Sequence, residues 1–256
     1  MKVVLAGPWL GEFGWEVATW IPALRKYSRN VDRIIAVCPP GHEYLYEDFA
    51  YKIIPYKKSG LKDRWLFNGK RPAMPGKIRK HFPDTKILIP KKKVCSSWER
   101  EYIMYGDFSE KGYDLIIHAR AETKYGQRSW NWPKARYRKL IDLVKPKSVC
   151  SIGTKAHYID GTDDLRGIQM EKLCNVLSSS KVLLTPSSGP GHLASLCDCP
   201  HVIMTTDKWQ KSVKGTNRDR YKRIWNPFRT PCKVLDTHNW QPPVSVVAKA
   251  VEGFLR

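Results

Sequence analysis

Two stretches of this 256-residue chain set reactive residue types where a backbone turn would present them. The first is GEFGWEVATWIPALR, which places Glu12 and Glu16 among glycines and tryptophans directly after the apolar run KVVLAG. A carboxylate in such a turn can take the proton of an incoming hydroxyl. It can equally be a helix-start carboxylate favoured by the macrodipole, an interaction worth only about 0.3–1 kcal/mol. The second stretch is KVLLTPSSGPGHLASLCDCPHVIM. Here an apolar strand, Val182–Leu184, runs into Thr185-Pro186-Ser187-Ser188-Gly189-Pro190-Gly191, and a helix is expected from about His192. Small residues let the backbone approach a ligand, and unpaired amides at a helix start favour an anion. Ser187 and Ser188 can cap that helix or donate to phosphate oxygens. The competing reading is an ordinary strand–turn–helix connection with serine caps. Neither GKS nor GKT follows the glycines, so this is not a Walker loop.

The elements that must position these turns alternate in type. KVVLAG, DRIIAVC and TKILIP read as strands of a first half, with VATWIPALRKYSR as a helix whose Pro22 bends it or lies in its first turns. YEDFAYKIIPY reads as a short helix leading into a third strand, and residues 57–80 as a basic loop with little regular structure. In the second half YDLIIHAR, KSVCSIG, KVLLTP and HVIMTT are strands, while WPKARYRKLIDLV, MEKLCNVLSSS and GPGHLASLCD are helices. PVSVVAKAVEGFL is a closing helix. Strand and helix alternating at these lengths predict βαβ units with parallel sheets. Two α/β halves meeting near Gly106–Gly112 is the simplest arrangement, and periodicity leaves one continuous doubly wound sheet open.

Composition narrows the partners. The chain is 42% hydrophobic and 11% aromatic, enough for a proper core, and it has no apolar run of the roughly 18 residues a membrane span needs. MKVVLAG reads as a first strand and not a signal peptide, so a cytoplasmic protein is expected. Seven scattered cysteines argue against a disulfide framework, and the close pair Cys197 and Cys199 lacks the CxxC spacing of a zinc or redox site. Buried free thiols are expected. His42, His81, His201 and His238 show no metal-ligand spacing and read as surface or core histidines. The formal net charge of +21 implies an anionic partner. It is clustered: Lys52 to Lys93 holds fourteen Lys/Arg against Asp63 and Asp84, and Lys208 to Lys233 holds nine against Asp219.

The second-half motifs also carry a resemblance. TPSSGPGHLASLCDCPHVIM is similar to the signature of the ADP-heptose:LPS heptosyltransferase family, in which a strand, a short acidic and glycine-containing loop and a His-Leu-Ala helix precede another strand. DLIIHAR with RSWNWPKARYRKL, and DDLRGIQMEKLCNVLSSSKVLL, resemble the segments upstream of it, so the likeness covers most of Tyr113 to Thr205. At the N-terminus Glu16-Val17 … Ile21-Pro22-Ala23-Leu24 falls into the family's register and sets Glu16 in place of its catalytic aspartate. The resemblance implies a GT-B fold, α/β, with two Rossmann-like domains facing across a cleft. It implies an acceptor domain over 1–110, a nucleotide-sugar domain over 111–238, and a final segment, 239–256, crossing back to the first. The implied activity is metal-free transfer from a nucleotide-sugar co-substrate, with no cofactor. Glu16 is then the base, with Glu12 in reserve. Arg120, Arg128, Gly153, Thr154, Lys155, Ser187, Ser188, Gly189 and His192 are the donor-binding positions. This chain departs from the pattern at Ser187, where the family's loop is acidic, which leaves the donor's identity open.

The acceptor is read from the charge. Lys57, Lys58, Lys62, Arg64, Lys70, Arg71, Lys77, Arg79, Lys80, Lys208 and Lys211 are the expected nucleic-acid contacts, since each phosphate contact releases counterions. Trp65, Phe67, Trp98 and Trp209, interleaved with charge, could hold a flipped base. The compact basic chain resembles phage enzymes that glycosylate hydroxymethylated cytosines of DNA, and DNA is the expected partner. The basic segments show no amphipathic helix with a clean apolar face, which tells against stable membrane insertion. A lipopolysaccharide acceptor and a catalytically inactive nucleic-acid-binding module are the alternatives.

Overall fold

The computed structural model describes residues 1–57, 73–90, 98–121, 130–208 and 215–256. The chain divides into two units, Met1–Ile103 and Met104–Arg256, where the sequence reading set its boundary between 110 and 111. Each unit has its own parallel sheet, so the single continuous sheet is excluded.

In the first unit β1 (Val3–Ala6) pairs with β2 (Arg33–Cys38) on one side and β4 (Lys86–Leu88) on the other. β3 (Lys52–Pro55) lies outside β2, giving the order β3-β2-β1-β4. Val4, Leu5, Ile34 and Val37 are buried, as expected of strands covered on both faces. Leu5, Ile35 and Val37 pack against Ile78 and Phe82, at and just beyond the short helix Gly76–His81. The end of the basic loop is thus helical, with Lys77, Arg79 and Lys80 exposed on it. The third strand expected within YEDFAYKIIPY is β3, and the short helix expected ahead of it is a 3-10 turn that comes earlier, at Glu43–Tyr46. Helix Phe13–Trp15 loosens into a π-type turn over Glu16–Trp20 and continues as Ile21–Ser28. The Ile21 amide reaches back to the Glu16 carbonyl, and Pro22, with no amide to donate, sits in the first turn that follows.

Arg25 fastens this helix to the rest of the unit. Its guanidinium grips Asp48 through two bonds of 2.5 and 2.9 Å and donates to the Glu101 carbonyl at 3.0 Å. Arg25→Ala is expected to cost about 2–4 kcal/mol, because three charge-assisted bonds go and Asp48 loses its partner. Hydrogen exchange of the β1–β2 ladder would read the loss.

In the second unit β5 (Leu115–Ile117) pairs with β6 (Val149–Ser151) and β8 (Leu183–Pro186). β7 (Asp163–Asp164) extends one side; β9 (His201–Met204) and β10 (Cys232–Leu235) extend the other, for the order β10-β9-β8-β5-β6-β7. Alternate residues Leu115 and Ile117, Val182 and Leu184, and Val202 and Met204 share one core cluster. Helices Lys134–Val144 and Val244–Leu255 join it through Tyr137, Leu140, Val247 and Val251. Trp132 Nε1 donates to the Pro242 carbonyl at 3.0 Å and links the starts of these two helices.

The helix after β8 begins at Gly189, ahead of the expected His192. Helix Asn217–Arg223 and β10 arise inside what reads as a basic run. Cys38, Cys150, Cys174, Cys197 and Cys199 are buried free thiols. No described helix is long and apolar enough to cross a membrane.

Candidate functional site

Parallel sheets bind ligands beyond the carboxyl ends of their strands, at the point where the chain reverses its direction of winding. In the second sheet that point lies between β5 and β8, because the chain winds outward through β6 and β7 before returning to β5's other side. In the first sheet it lies between β1 and β4. Both turns singled out in the sequence emerge at these places: Gly7 to Glu16 after β1, and Ser187 to Gly189 after β8.

At the second sheet's switch point His118 follows β5, Gly153 and Thr154 follow β6, and Ser187 and Ser188 follow β8. His118 Nδ1 lies 3.0 Å from Thr185 Oγ1 and 3.3 Å from Ser188 Oγ. Both hydroxyls reach the Pro186 carbonyl at 2.9 Å, which leaves their oxygens to accept from His118 Nδ1–H. Burial, with smaller contributions from His157 and Arg120, holds the His118 pKa well below its ordinary value, so the ring is neutral. His157 meets it edge-on at 4.6 Å and accepts the Thr154 amide on Nδ1 at 3.0 Å. Gly153 turns the chain here with φ +112°. Ser188 holds the helix N-cap position, yet its hydroxyl faces Pro186, Thr185 and His118 and does not cap. The Ser187 amide is tied to the Met204 carbonyl.

The other expected donor residues are distributed differently. Arg120 is nearly buried, bonded to Asn131 Oδ1 and the Trp130 carbonyl, with its guanidinium 5.2 Å from the Trp240 ring. Lys155 is exposed on the turn after Thr154. His192 is buried against Trp225 at 4.4 Å and Tyr221 at 5.5 Å, within the helix packing. Arg128 lies outside the described residues.

At the carboxyl ends of β1 and β2 the first unit holds a cluster of which only Glu16 was expected. Glu16 is fully buried; its Oε1 accepts from Tyr46 OH at 2.8 Å, and its Oε2 meets His42 Nδ1 at 2.8 Å. His42 and Tyr46 come from the turn after β2, β1's neighbour in the sheet, so adjacent strand ends deliver the three groups. Gly7 has φ +115°, and an added Cβ would stand 2.3 Å from the Val37 carbonyl oxygen, so only glycine lets the turn leave β1 this close to β2. Glu12 caps the helix start with its carbonyl, which accepts from the Trp15 and Glu16 amides at 3.1 Å. The signal that could have found His42 is its place directly after β2, beside the turn that carries Glu16. A search by metal-ligand spacing alone passes over it.

Burial alone would lower the His42 pKa, but the charge and hydrogen bond of Glu16, with Glu43 nearby, outweigh it and the net direction is up. His201, fully buried with Nδ1 on the Cys199 carbonyl, is pushed down to about 4 by desolvation. These shifts act in opposite senses on stability. A raised histidine stabilises fully below its unfolded value, about 6.5, and the effect is lost as pH rises through the folded value. Depressed histidines stabilise above about 6.5 and lose that as pH falls. The first unit is therefore expected to loosen above neutrality and the second in mild acid, where His201 alone is worth on the order of 3 kcal/mol. Hydrogen exchange resolved by unit across pH 5 to 8, corrected for intrinsic rates, tests both slopes.

Of the expected polyanion contacts, Lys57, Lys77, Arg79, Lys80 and Lys208 are described, and all are exposed. Lys58, Lys62, Arg64, Lys70, Arg71 and Lys211 lie outside the described residues, as do Trp65, Phe67 and Trp209. Trp98 stacks on Tyr27 at 5.1 Å. Arg218 pairs with Asp236, and Arg220 is buried with its guanidinium 4.7 Å from the Trp225 ring, so part of the second basic run serves the fold. Among the described residues no three His, Cys, Asp or Glu side chains converge in a metal-binding arrangement.

No protein-family model and no curated protein sequence matches this chain. Solved structures do. The E. coli heptosyltransferase WaaC with ADP is similar at a TM-score of 0.57 and 13% identity, over 99% of both chains. E. coli ADP-heptose LPS heptosyltransferase II is similar at 0.60 and 15%, over 100% of this chain and 98% of its own. A glycosyl transferase family 9 protein from Veillonella parvula is similar at 0.59 and 12%, over 99% and 97%. At these identities the likeness establishes the fold, and with the two parallel sheets it makes this chain an α/β protein of two Rossmann-like units, of the GT-B type.

Proposed function

We propose that this chain is a glycosyltransferase that moves a sugar from a nucleotide-sugar donor to a hydroxyl of a phosphate-bearing acceptor. In this reading the second unit holds the donor at the ends of β5, β6 and β8, and the first unit receives the acceptor beside Glu16. The observation that carries it is a polar cluster at the carboxyl ends of neighbouring strands in each sheet, β5, β6 and β8 in the second and β1 and β2 in the first. In the donor cluster the Ser187 hydroxyl and the nearby Arg120 can donate to a departing diphosphate, while Ser188 and the uncharged His118 hold the turn. The acceptor cluster holds a carboxylate with an imidazole, the groups that accept a hydroxyl proton.

The exposed lysines and arginine of helix Gly76–His81 support a polyanionic acceptor. Names of the similar structures favour an ADP-heptose donor and a lipopolysaccharide acceptor. The hydroxymethylcytosine reading is supported by the clustered net charge of +21 and the aromatics interleaved with it. Calorimetry with ADP and a panel of sugar nucleotides, followed by mass spectrometry of lipopolysaccharide core and of hydroxymethylated duplex DNA as acceptors, separates them. Addition of one sugar mass to the core with ADP-heptose is the expected result, retained in EDTA. Sugar on the DNA would move the acceptor to the second reading. If no sugar nucleotide binds while nucleic acid does, the chain is a binding module and the proposal falls.

A further inference from the structure

The Glu16 carboxyl is poorly placed to meet an acceptor. It has no exposed surface, and each oxygen already receives a bond, from Tyr46 OH on one side and the His42 ring on the other. A hydroxyl could reach it only by displacing one of these. His42 differs. Its side chain is 22% exposed, its ring lies edge-on to Phe13 at 5.0 Å, and its Nδ1 is fixed on Glu16. Nε2 has no hydrogen-bond partner among the described residues. A carboxylate oxygen can only accept, so Nδ1 must carry the hydrogen, and Nε2 is then left with a lone pair.

We infer that His42 Nε2 is the atom that takes the acceptor's proton, and that Glu16 is the positioning residue that fixes the ring and balances its charge. The inference rests on the glycosyltransferase reading above. The acceptor O–H bond breaks as its proton passes to Nε2. The freed oxygen pair forms the bond to the anomeric carbon, and the sugar–diphosphate C–O bond breaks with its electrons leaving on the diphosphate. His42 becomes an imidazolium against Glu16 and later returns the proton to water. The charged groups around the ring act together: Glu16 from the turn after β1 and Glu43 beside it in sequence, with Tyr46 and the buried Cys38 thiol on the Glu16 side. Tyr46 OH holds the far carboxyl oxygen, so the carboxylate cannot swing away from the ring.

The test pairs a pH–rate profile with nitrogen NMR of the imidazole. The expected acid limb of kcat/KM for donor turnover lies above about 6.5, since the base works only when the ring is neutral. A lone carboxylate base would set that limb near pH 4. His42→Gln should lose about 10²–10⁴-fold in kcat with little change in donor KM. The NMR tautomer of His42 in the wild type, which needs no turnover, should be Nδ1–H. Its titration should move down in Glu16→Gln. Turnover with a limb in the carboxylate range, or with His42→Gln within threefold of wild type, overturns the role of His42 and leaves the glycosyltransferase reading standing. An Nε2–H tautomer overturns it independently of any assay. Absence of turnover with every sugar nucleotide overturns both.

Discussion

Glu16→Gln is expected to reduce kcat by about 10²–10⁴-fold while changing donor KM by less than about threefold. Glutamine has nearly the volume of glutamate, and its carbonyl can still accept from Tyr46 OH or from His42 Nδ1. It cannot keep the charge that both contacts use. Loss of a charge-assisted bond costs about 1.5–3 kcal/mol, less than the fold as a whole provides. The variant should therefore remain folded, with circular dichroism unchanged and donor binding intact in the second unit. Single-turnover kinetics would separate the chemical step from product release. Glu16 and His42 act as one couple in this account, so Glu16→Gln with His42→Gln should be little worse than either alone. Additive losses would mean that the residues serve different steps. Wild-type turnover in Glu16→Gln would remove Glu16 from the chemistry and return it to the structural reading its burial also allows.

The sequence exposes the parts of this fold that depend on local apolar pattern. The strands beginning KVVLAG, DRIIAVC, DLIIHAR and HVIMTT read correctly because each is a short, continuous apolar run, as strands buried on both faces must be. What stayed hidden depends on tertiary partners. Helix Asn217–Arg223 lies in a run whose charges suggest a solvated surface. Yet Arg218 is anchored on Asp236, and burial lowers the Arg220 pKa to about 10 beside Trp225. Trp225 lies five residues from Arg220, but Asp236 lies 18 from Arg218, and only folding sets these partners in contact. The candidate site divides the same way. Glu16 and the Ser187-Ser188-Gly189 turn were legible from the strand ends that precede them. His42 was not, because its place beside Glu16 is set by β2 lying next to β1, a pairing of residues about thirty positions apart. His192, named from the same motif, packs against the rings of Trp225 and Tyr221, a setting its sequence neighbours do not announce.

Gly153→Ala is expected to have the largest effect on the donor side, because two penalties fall on one atom. The residue sits at φ +112°, a conformation L residues rarely adopt, at a cost of about 1–2 kcal/mol or more. The new Cβ would also stand 2.3 Å from His157 Nδ1 and 2.9 Å from His118 Cδ2. His157 cannot easily retreat, since Nδ1 holds the Thr154 amide and the ring is nearly buried. Overpacking of this kind adds about 1–3 kcal/mol, so the total loss is about 2–5 kcal/mol. The chain escapes it by moving the Gly153–Thr154 turn, which shifts His157 and, through the ring contact, His118. Calorimetry with ADP should then show at least a tenfold loss of affinity, while the NMR titration of His42 in the first unit stays as in wild type. Gly161 supplies the control. It too has a positive φ, +83°, but nothing lies within 4 Å of an added Cβ. Gly161→Ala should lose stability through backbone strain alone and keep its affinity for ADP. If folded Gly153→Ala binds ADP as tightly as wild type, the β6 turn makes no contact with the nucleotide. The donor must then lie toward Ser187, Ser188 and the helix that begins at Gly189.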